Sequence, residues 1–389
     1  MREEAATTPL PTGTVEPVAG HQLRLLLDGQ QGRNALFHLI AGATTSLRLF
    51  YYLFEADRIG TEVRDALITA CGRGVRVHLA VDGFGSSDTP DSFFESLVSA
   101  GARFCRFHPR WGRNYVLRNH QKLAIADGHS AMVGGFNIAD PYFDPDRTDS
   151  WRDLGLVVSG EAVAQLAMYF DRLFAWIIRD RISLFSLRRL IPAVPAHADQ
   201  RVRWVFGGPS RRLSPYARQV QSDFRSGSRL DMMMAYFAPN RRFIALIGDI
   251  ATRGAARLIN AGKTDVALSR AAAWSTYGRL LRQGTQIAEF QPAALHAKLI
   301  IVDNITYMGS GNFDIRSLHL NLEVMLRIDD AAFAAQMRTL FDREWQQSDL
   351  INPAVYKRLA SWWNRFRWRF AYWIFATVDF ATTRRLTRL

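Results

Sequence analysis

The chain has 389 residues, with 49 Lys and Arg against 36 Asp and Glu, a formal charge of +13. A hydrophobic share of 48% beside 22% charged residues excludes a disordered or fibrous chain, and the length predicts two domains or one large pseudo-symmetric unit. Two cysteines, Cys71 and Cys105, exclude a disulfide framework and a four-cysteine zinc site.

Residues 1–20 are acidic and rich in Pro and Thr, which predicts a flexible N-terminus. They lack a basic stretch followed by an apolar one, so no signal peptide is expected and a reducing compartment is. A first domain is predicted over 21–198. Within it, 61–71 has helical spacing, with Val63, Ala66, Leu67 and Ala70 on one face. Residues 76–81 alternate as a strand does, and 123–126 form a short apolar run ended by Asp127. The stretch 163–191 predicts one helix with Leu166, Phe170, Leu173, Phe174 and Ile177 inward, stopped by Pro192 and Pro195. A second domain follows over 199–350, with another apolar run, 299–302, ended by Asp303. Strands alternating with helices predict an α/β protein with covered sheet faces.

The last segment, 351–389, predicts a basic, aromatic helix. Lys357, Arg358, Arg365, Arg367, Arg369, Arg384, Arg385 and Arg388 stand there against a single acid between 356 and 389, Asp379. Trp362, Phe366, Phe370, Trp373, Thr377 and Phe380 fall along one stripe. Its uncharged run, 370–378, is too short to span hydrocarbon, and the composition suits a helix lying among anionic headgroups. No apolar run elsewhere reaches the length of a membrane span. The basic balance of the whole chain predicts an anionic partner, nucleic acid or an acidic lipid surface.

The two halves repeat. Asn119-His120-Gln121-Lys122-Leu123-Ala124-Ile125-Ala126-Asp127 returns 176 residues later as Leu295-His296-Ala297-Lys298-Leu299-Ile300-Ile301-Val302-Asp303. Small-residue turns follow each copy, Gly134-Gly135-Phe136-Asn137 and Gly309-Ser310-Gly311-Asn312. Upstream, Leu49-Phe50-Tyr51-Tyr52-Leu53-Phe54 matches Met233-Met234-Ala235-Tyr236-Phe237. Only four cations are lysines, and two of them, Lys122 and Lys298, sit in this repeat.

The His-x-Lys pairs are expected on strands, where residues i and i+2 share a face, so each His points the same way as its Lys. An imidazole can attack or move protons near neutral pH, and an ammonium beside it can hold a phosphate oxygen. Asn137, Ser310 and Asn312 can donate further hydrogen bonds to that phosphate. Two copies brought together suit phosphoryl transfer in which one His attacks phosphorus and the other protonates the leaving alcohol, with no metal or other cofactor required. A nucleophilic imidazole needs its second nitrogen held by a carboxylate. Asp153 in the first half and Glu323 in the second are assigned that orienting role.

These residues resemble the paired HKD motifs of the phospholipase D superfamily: His120, Lys122 and Asp127 with Gly134, Gly135 and Asn137, then His296, Lys298 and Asp303 with Gly309, Ser310 and Asn312. The flanks Gly135-Phe136-Asn137-Ile138-Ala139-Asp140, Trp151-Arg152-Asp153-Leu154, Phe313-Asp314-Ile315-Arg316-Ser317 and Leu320-Asn321-Leu322-Glu323-Val324 are similar to those of bacterial cardiolipin synthases. The resemblance runs from about residue 23 to 345 and implies two pseudo-symmetric phospholipase D-like sheet domains about one active site. It counts Asp127 and Asp303 within the catalytic motif, although as strand-ending residues they also suit a turn. It implies a phosphatidyl-histidine intermediate, with His120 as nucleophile and His296 as acid and base by family precedent. The donor is phosphatidylglycerol or phosphatidylethanolamine, and the acceptor is the free glycerol hydroxyl of phosphatidylglycerol. Water as acceptor would give phospholipase D hydrolysis, and other members of the superfamily cleave nucleic acid, which the aromatic and basic C-terminus disfavours here. The chain is similar to the type without N-terminal transmembrane helices, which implies a peripheral protein on the cytoplasmic side of the inner membrane.

Overall fold

The computed structural model describes residues 15–108, 117–144, 147–179, 184–191, 201–210, 213–264 and 266–374. The first half contains β1 (Val15–Val18), β2 (His21–Leu26), α1 (Gly29–Gly42), β3 (Ser46–Tyr51), α2 (Arg58–Gly72), β4 (Arg76–Asp82), α3 (Glu95–Ser99), β5 (Arg103–Phe107), β6 (Leu123–Ala126), β7 (Ser130–Gly134), α4 (Asp140–Phe143), β8 (Trp151–Arg152), β9 (Gly155–Ser159), α5 (Glu161–Ile177) and α6 (Leu184–Leu190). The second contains β10 (Val202–Gly207), α7 (Pro215–Ser226), β11 (Arg229–Met234), β12 (Phe237–Ala238), α8 (Arg241–Arg253), β13 (Ala255–Ala261), α9 (Ala267–Arg282), β14 (Gln286–Phe290), β15 (Ala294–Leu295), β16 (Lys298–Val302), β17 (Ile305–Gly309), β18 (Phe313–Asp314), α10 (Ile315–His319), β19 (Glu323–Asp329), α11 (Ala331–Gln346) and β20 (Ser348–Leu350). Helices α12 (Pro353–Leu359) and α13 (Trp362–Trp373) follow.

Two mixed eight-stranded sheets result, β1-β2-β9-β7-β6-β3-β4-β5 and β10-β19-β17-β16-β11-β13-β14-β20. From β2 and from β10 onward the orders correspond strand for strand. The parallel pairs are also equivalent, β3 with β4 and β5 in one sheet, β11 with β13 and β14 in the other. The halves differ at one edge each, where β1 is added to the first sheet and β20 to the second.

The inner faces of both sheets meet in one core. Phe50, Leu123 and Ile125 from the first sheet join Met233, Leu299 and Ile301 from the second, with Leu166, Phe170 and Leu173 of α5 and Met337 and Leu340 of α11. Separate cores cover the outer faces, one under α1 and α2, one under α7, α8 and α9. The shared core removes apolar surface of both halves from water at once, so neither half is complete without the other.

Three sequence expectations change. The predicted flexible N-terminus already forms a hairpin from Val15: β1 pairs antiparallel with β2, Ala19 and Gly20 take positive φ in its turn, and Val18 is buried. The single helix expected over 163–191 is two, because the chain folds back after α5 so that Trp176 Nε1 donates to Ser186 Oγ and Leu187 enters the shared core. The C-terminal segment is likewise two helices, α12 and α13, and Thr377 and Phe380 lie outside the described residues. So does the boundary expected at 198/199.

Asp127 and Asp303, expected in the catalytic motif, stand at the far ends of β6 and β16 from the histidines. Both adopt positive φ, 54° and 47°, which Asp tolerates better than most residues. The Asp127 carboxylate accepts from the amides of Thr44, Thr45 and Ser46 and from both Thr hydroxyls. Asp303 accepts from the amides of Ser228 and Arg229 and from Ser228 Oγ. Partial burial pushes the Asp127 carboxyl up, but the amides of Ser46, Thr44 and Thr45 outweigh it and hold the group well below the usual carboxylate range. Each Asp thus fixes where β3 or β11 begins beside the motif strand. Asp127→Ala is expected to lower stability by roughly 1.5–3 kcal/mol in denaturant unfolding, the range for a hydrogen-bonded charged group. Activity per folded molecule should be retained, and its abolition in a folded variant would restore Asp127 to the chemistry.

Candidate active site

His120 and His296 both lie at the seam between the halves, and each is held by the opposite half. The His120 amide donates to Leu322 O at 2.9 Å, and Leu322 N donates to Arg118 O at 2.9 Å. Likewise the His296 amide donates to Arg152 O at 2.8 Å, where β15 pairs in parallel with β8. Leu322 and Arg152 are the residues before the two orienting carboxylates. These short pairings therefore deliver Glu323 to His120 and Asp153 to His296.

The imidazoles use them. His120 Nδ1 donates to Glu323 Oε2 at 3.1 Å, and His296 Nδ1 donates to Asp153 Oδ2 at 2.6 Å. The sequence supplied one carboxylate per half, and the structure pairs them crosswise. Both carboxylates are buried, 0% exposed, so a water-filled alternative is excluded.

Lys122 and Lys298 reach back over their own histidines. Lys122 Nζ donates to His120 O at 2.8 Å; Lys298 Nζ lies 2.8 Å from His296 Nδ1 and also donates to His296 O. Burial, then Lys298, lowers the Lys122 ammonium's affinity for its proton well below the usual lysine range. Burial pushes His120 down to about 4 against the pull of Glu323, and Lys298 contributes to the lowering. Burial and Lys298 push His296 down to about 3, with Lys122 adding to it. Each lysine thus lowers proton affinity at the other half's imidazole as well as at its own. At neutral pH both imidazoles are neutral, with Nδ1–H given to a carboxylate and the Nε2 lone pair free.

The expected phosphate donors divide. Asn137 Oδ1 accepts from Leu53 N at 3.2 Å, which leaves its NH2 group as a donor. Asn312 is buried, and its Oδ1 has no partner among the described residues. Ser310 does not remain free for phosphate: its hydroxyl donates to Glu323 Oε2 at 2.5 Å and accepts from Val324 N. The equivalent position, Gly135, has no side chain because a Cβ there would lie 2.0 Å from Asp153 Oδ1.

Several site residues were missed in the sequence. Tyr52 stands edge-on to His120 at 4.8 Å and under the Lys122 ammonium at 5.1 Å. Tyr142, Trp151 and Tyr236 surround His296 at 5.1, 5.3 and 6.4 Å. By strand register Tyr52 corresponds to Ala235 and Tyr236 to Leu53, so the two rings reach the site from different places in the repeat and the repeat did not mark them. Asp82, fully buried, accepts from the amides of Asn119, Phe84 and Gly85 and so fixes the chain just before His120. Nothing in the sequence around Asp82 marked it.

A family model described as "Cardiolipin synthase, PLD-like domain" matches residues 36–175 and 224–345. The chain belongs to that family. Cardiolipin synthase 1 of Bacillus cereus is 29% identical over 361 residues, covering 89% of this chain and 69% of the relative. Cardiolipin synthase A of Pseudomonas putida is 28% identical over 353 residues, covering 88% and 72%. Among solved structures, phosphatidylserine synthase of Haemophilus influenzae superposes with a TM-score of 0.71 at 13% identity, covering 93% of this chain and 94% of the other, which establishes the fold. The family is one of phosphatidyltransferases in the phospholipase D superfamily. Among the described residues, no helix is long and apolar enough to cross a membrane.

Two outcomes follow from this geometry. Glu323→Gln and Asp153→Asn are each expected to lower kcat roughly 10–100-fold, the usual cost of removing the partner that orients a histidine. Loss confined to one of them would contradict the crossed arrangement. The second concerns acid. Both imidazoles bind their protons less readily in the fold than at the ordinary value of 6.5, so the unfolded chain takes up protons first as pH falls. Stability should therefore drop from about pH 6.5 toward 4, and His120→Asn with His296→Asn should flatten that part of a Tm–pH profile.

Proposed function

We propose that this chain is a cardiolipin synthase acting through a phosphatidyl-histidine intermediate. The observation that carries the reading is the pair of neutral, carboxylate-held imidazoles sharing one site with two ammoniums, in a chain of this family. His120 Nε2 attacks the phosphorus of phosphatidylglycerol or phosphatidylethanolamine, forming a P–N bond. The P–O bond to the headgroup alcohol breaks, and His296, which takes a proton from solvent on Nε2 as the anionic substrate binds, passes that proton to the departing oxygen. The glycerol hydroxyl of a second phosphatidylglycerol then gives its proton to His296 and attacks phosphorus. The P–N bond breaks, His120 is regenerated, and cardiolipin leaves. Lys122, Lys298 and the amides of Asn137 and Asn312 hold the phosphoryl oxygens as charge builds on them.

The site charges fit a phosphodiester. Two carboxylates balance two ammoniums, the imidazoles are neutral, and an arriving anion makes protonation of His296 cheaper than in the empty site. The protein acts at the bilayer from its surface, as a peripheral protein on the cytoplasmic side of the inner membrane. Trp362, Trp363, Phe366, Phe370 and Trp373 of α13 support that contact, since all five are at least 52% exposed and form a continuous ring stack.

Purified protein incubated with phosphatidylglycerol vesicles is expected to release glycerol and form cardiolipin, with and without EDTA. Phosphatidic acid as sole product would make the chain a hydrolase, and no lipid product would overturn the reading. His120→Ala and His296→Ala should each remove turnover while leaving the thermal unfolding transition cooperative. Acid-labile label from the donor's phosphate should collect on the peptide carrying His120 in wild type and in a slowed His296 variant.

A further inference from the structure

Away from the imidazoles, α13 packs along α9 and closes a groove against α8. Trp368 stacks at 5.0 Å on Trp274, Ala371 is buried in a small cluster with Ala272 and Ala238, and Tyr372 OH donates to Pro239 O at 2.7 Å. Two adjoining cavities open along this seam, of about 710 Å³ and about 150 Å³. They share Ser275, Arg279 and Arg369; Arg241 lines the larger one, and Arg282 and Arg365 line the smaller.

The charge of this groove is one-sided. Five guanidiniums converge on it, and no carboxylate lines either cavity. Helices α9, α12 and α13 contain no Asp or Glu at all. Among the described residues, none of the five arginines forms an ion pair. Several arginines elsewhere in the second half are ion-paired, Arg257 with Asp231 and Asp342, Arg270 with Glu289, Arg327 with Asp223, although others, such as Arg203 and Arg242, are not. Like charges gathered without a counter-ion repel one another, so the groove is arranged for an anion that arrives from outside. Guanidinium forks match phosphate oxygens in pairs.

We propose that this groove binds the phosphodiester headgroup of an anionic phospholipid still embedded in the bilayer, as a non-catalytic docking site. The choice of a lipid over a soluble phosphate follows from the walls. Trp373 lines the larger cavity and is 52% exposed, and Phe370 beside it belongs to the same exposed ridge. A headgroup held by the arginines would set these rings at the boundary between headgroups and acyl chains, where aromatic side chains are favoured. No imidazole lines the groove, so it holds lipid without cleaving it.

The groove also connects to the chemistry. Pro239, the acceptor for Tyr372, is three residues from Tyr236, whose ring faces His296. A lipid docked at α13 therefore seats the second half against the bilayer beside the wall of the active site. This inference takes its partner from the lipid reading of the active site, but vesicle binding is measured without turnover, so the two can fail separately.

The test uses the full chain. The triple variant Arg241→Ala, Arg279→Ala, Arg282→Ala alters only α8 and α9, leaving the aromatic ridge in place. A control, Arg24→Ala, Arg76→Ala, Arg103→Ala, removes the same charge from the first half. Partition onto phosphatidylcholine vesicles containing phosphatidylglycerol is expected to fall on the order of a hundredfold for the groove variant, since each basic group near an anionic surface contributes about fivefold. The control should fall less than about tenfold. Equal losses would assign the effect to net charge and overturn the site, as would undiminished binding of the groove variant. Free glycerol phosphate should not displace the protein from vesicles; displacement at equal phosphate concentration would overturn the lipid partner. Turnover of monomeric short-chain phosphatidylglycerol should stay within about twofold of wild type in the groove variant, and its loss would overturn the non-catalytic assignment.

Discussion

Everything at the centre of this molecule depends on a reciprocal exchange between the halves. Leu322 O holds the amide of His120 and Arg152 O holds the amide of His296, and the next residue in each case brings the carboxylate. Burying an ammonium or a carboxylate alone costs several kcal/mol even after relaxation. Here Lys122 and Lys298 are balanced by Asp153 and Glu323 only when both halves are assembled, because each carboxylate serves the other half's imidazole. The apolar core shared by the two sheets and the polar site between them thus enforce the same assembly. One supplies the driving force, and the other makes any altered register expensive.

The equivalence of the halves is nevertheless incomplete. Ser310 donates to Glu323, whereas Gly135 leaves its place to Asp153, whose Oδ1 instead accepts from Leu154 N. The carboxylate behind His120 therefore shares its charge with a hydroxyl, and the one behind His296 does not. His296 also has Lys298 against its Nδ1, while Lys122 donates to the carbonyl of His120 and lies over the Tyr52 ring. Two similar imidazoles in unequal surroundings bind protons unequally, which is what a division into attacking group and proton carrier requires. The outer surfaces diverge too: α12 and α13 follow the second half alone.

Much of this was legible because duplication writes the same solution twice. The 176-residue repeat located the apolar strand runs to within a residue, and the turn residues after them, although His120, Lys122 and His296 stand just before β6 and β16 rather than on them as expected. The crossing of Asp153 and Glu323 was not legible. Spacing along the chain records which residues share a strand, and the crossed pairs are made by contacts 143 and 203 residues apart. Asp82 was hidden for a related reason, because it works on backbone amides, which leave no mark in the sequence. The break between α5 and α6 was missed because apolar spacing continues past the point where the chain turns back. The arginine groove draws on α8, α9 and α13, and each helix taken alone reads as an ordinary solvated face.

The burial that lowers proton affinity at the imidazoles also shapes the order of events. A histidine held neutral by an apolar, doubly cationic setting is a better nucleophile than an acid. The same setting must yield a proton donor once substrate is bound. On the proposed mechanism the phosphodiester would resolve the conflict, because its negative charge would offset Lys122 and Lys298, and with them one cause of the lowered affinity at His120 and His296. Proton affinity rises at the imidazole that does not attack, while the attacking one is consumed by bond formation. The lysines are therefore more than phosphate clamps. Burial is the main reason both histidines stay unprotonated and the lysines add to it, so on the proposed mechanism an arriving phosphodiester would weaken the lysine contribution and favour formation of the acid it needs.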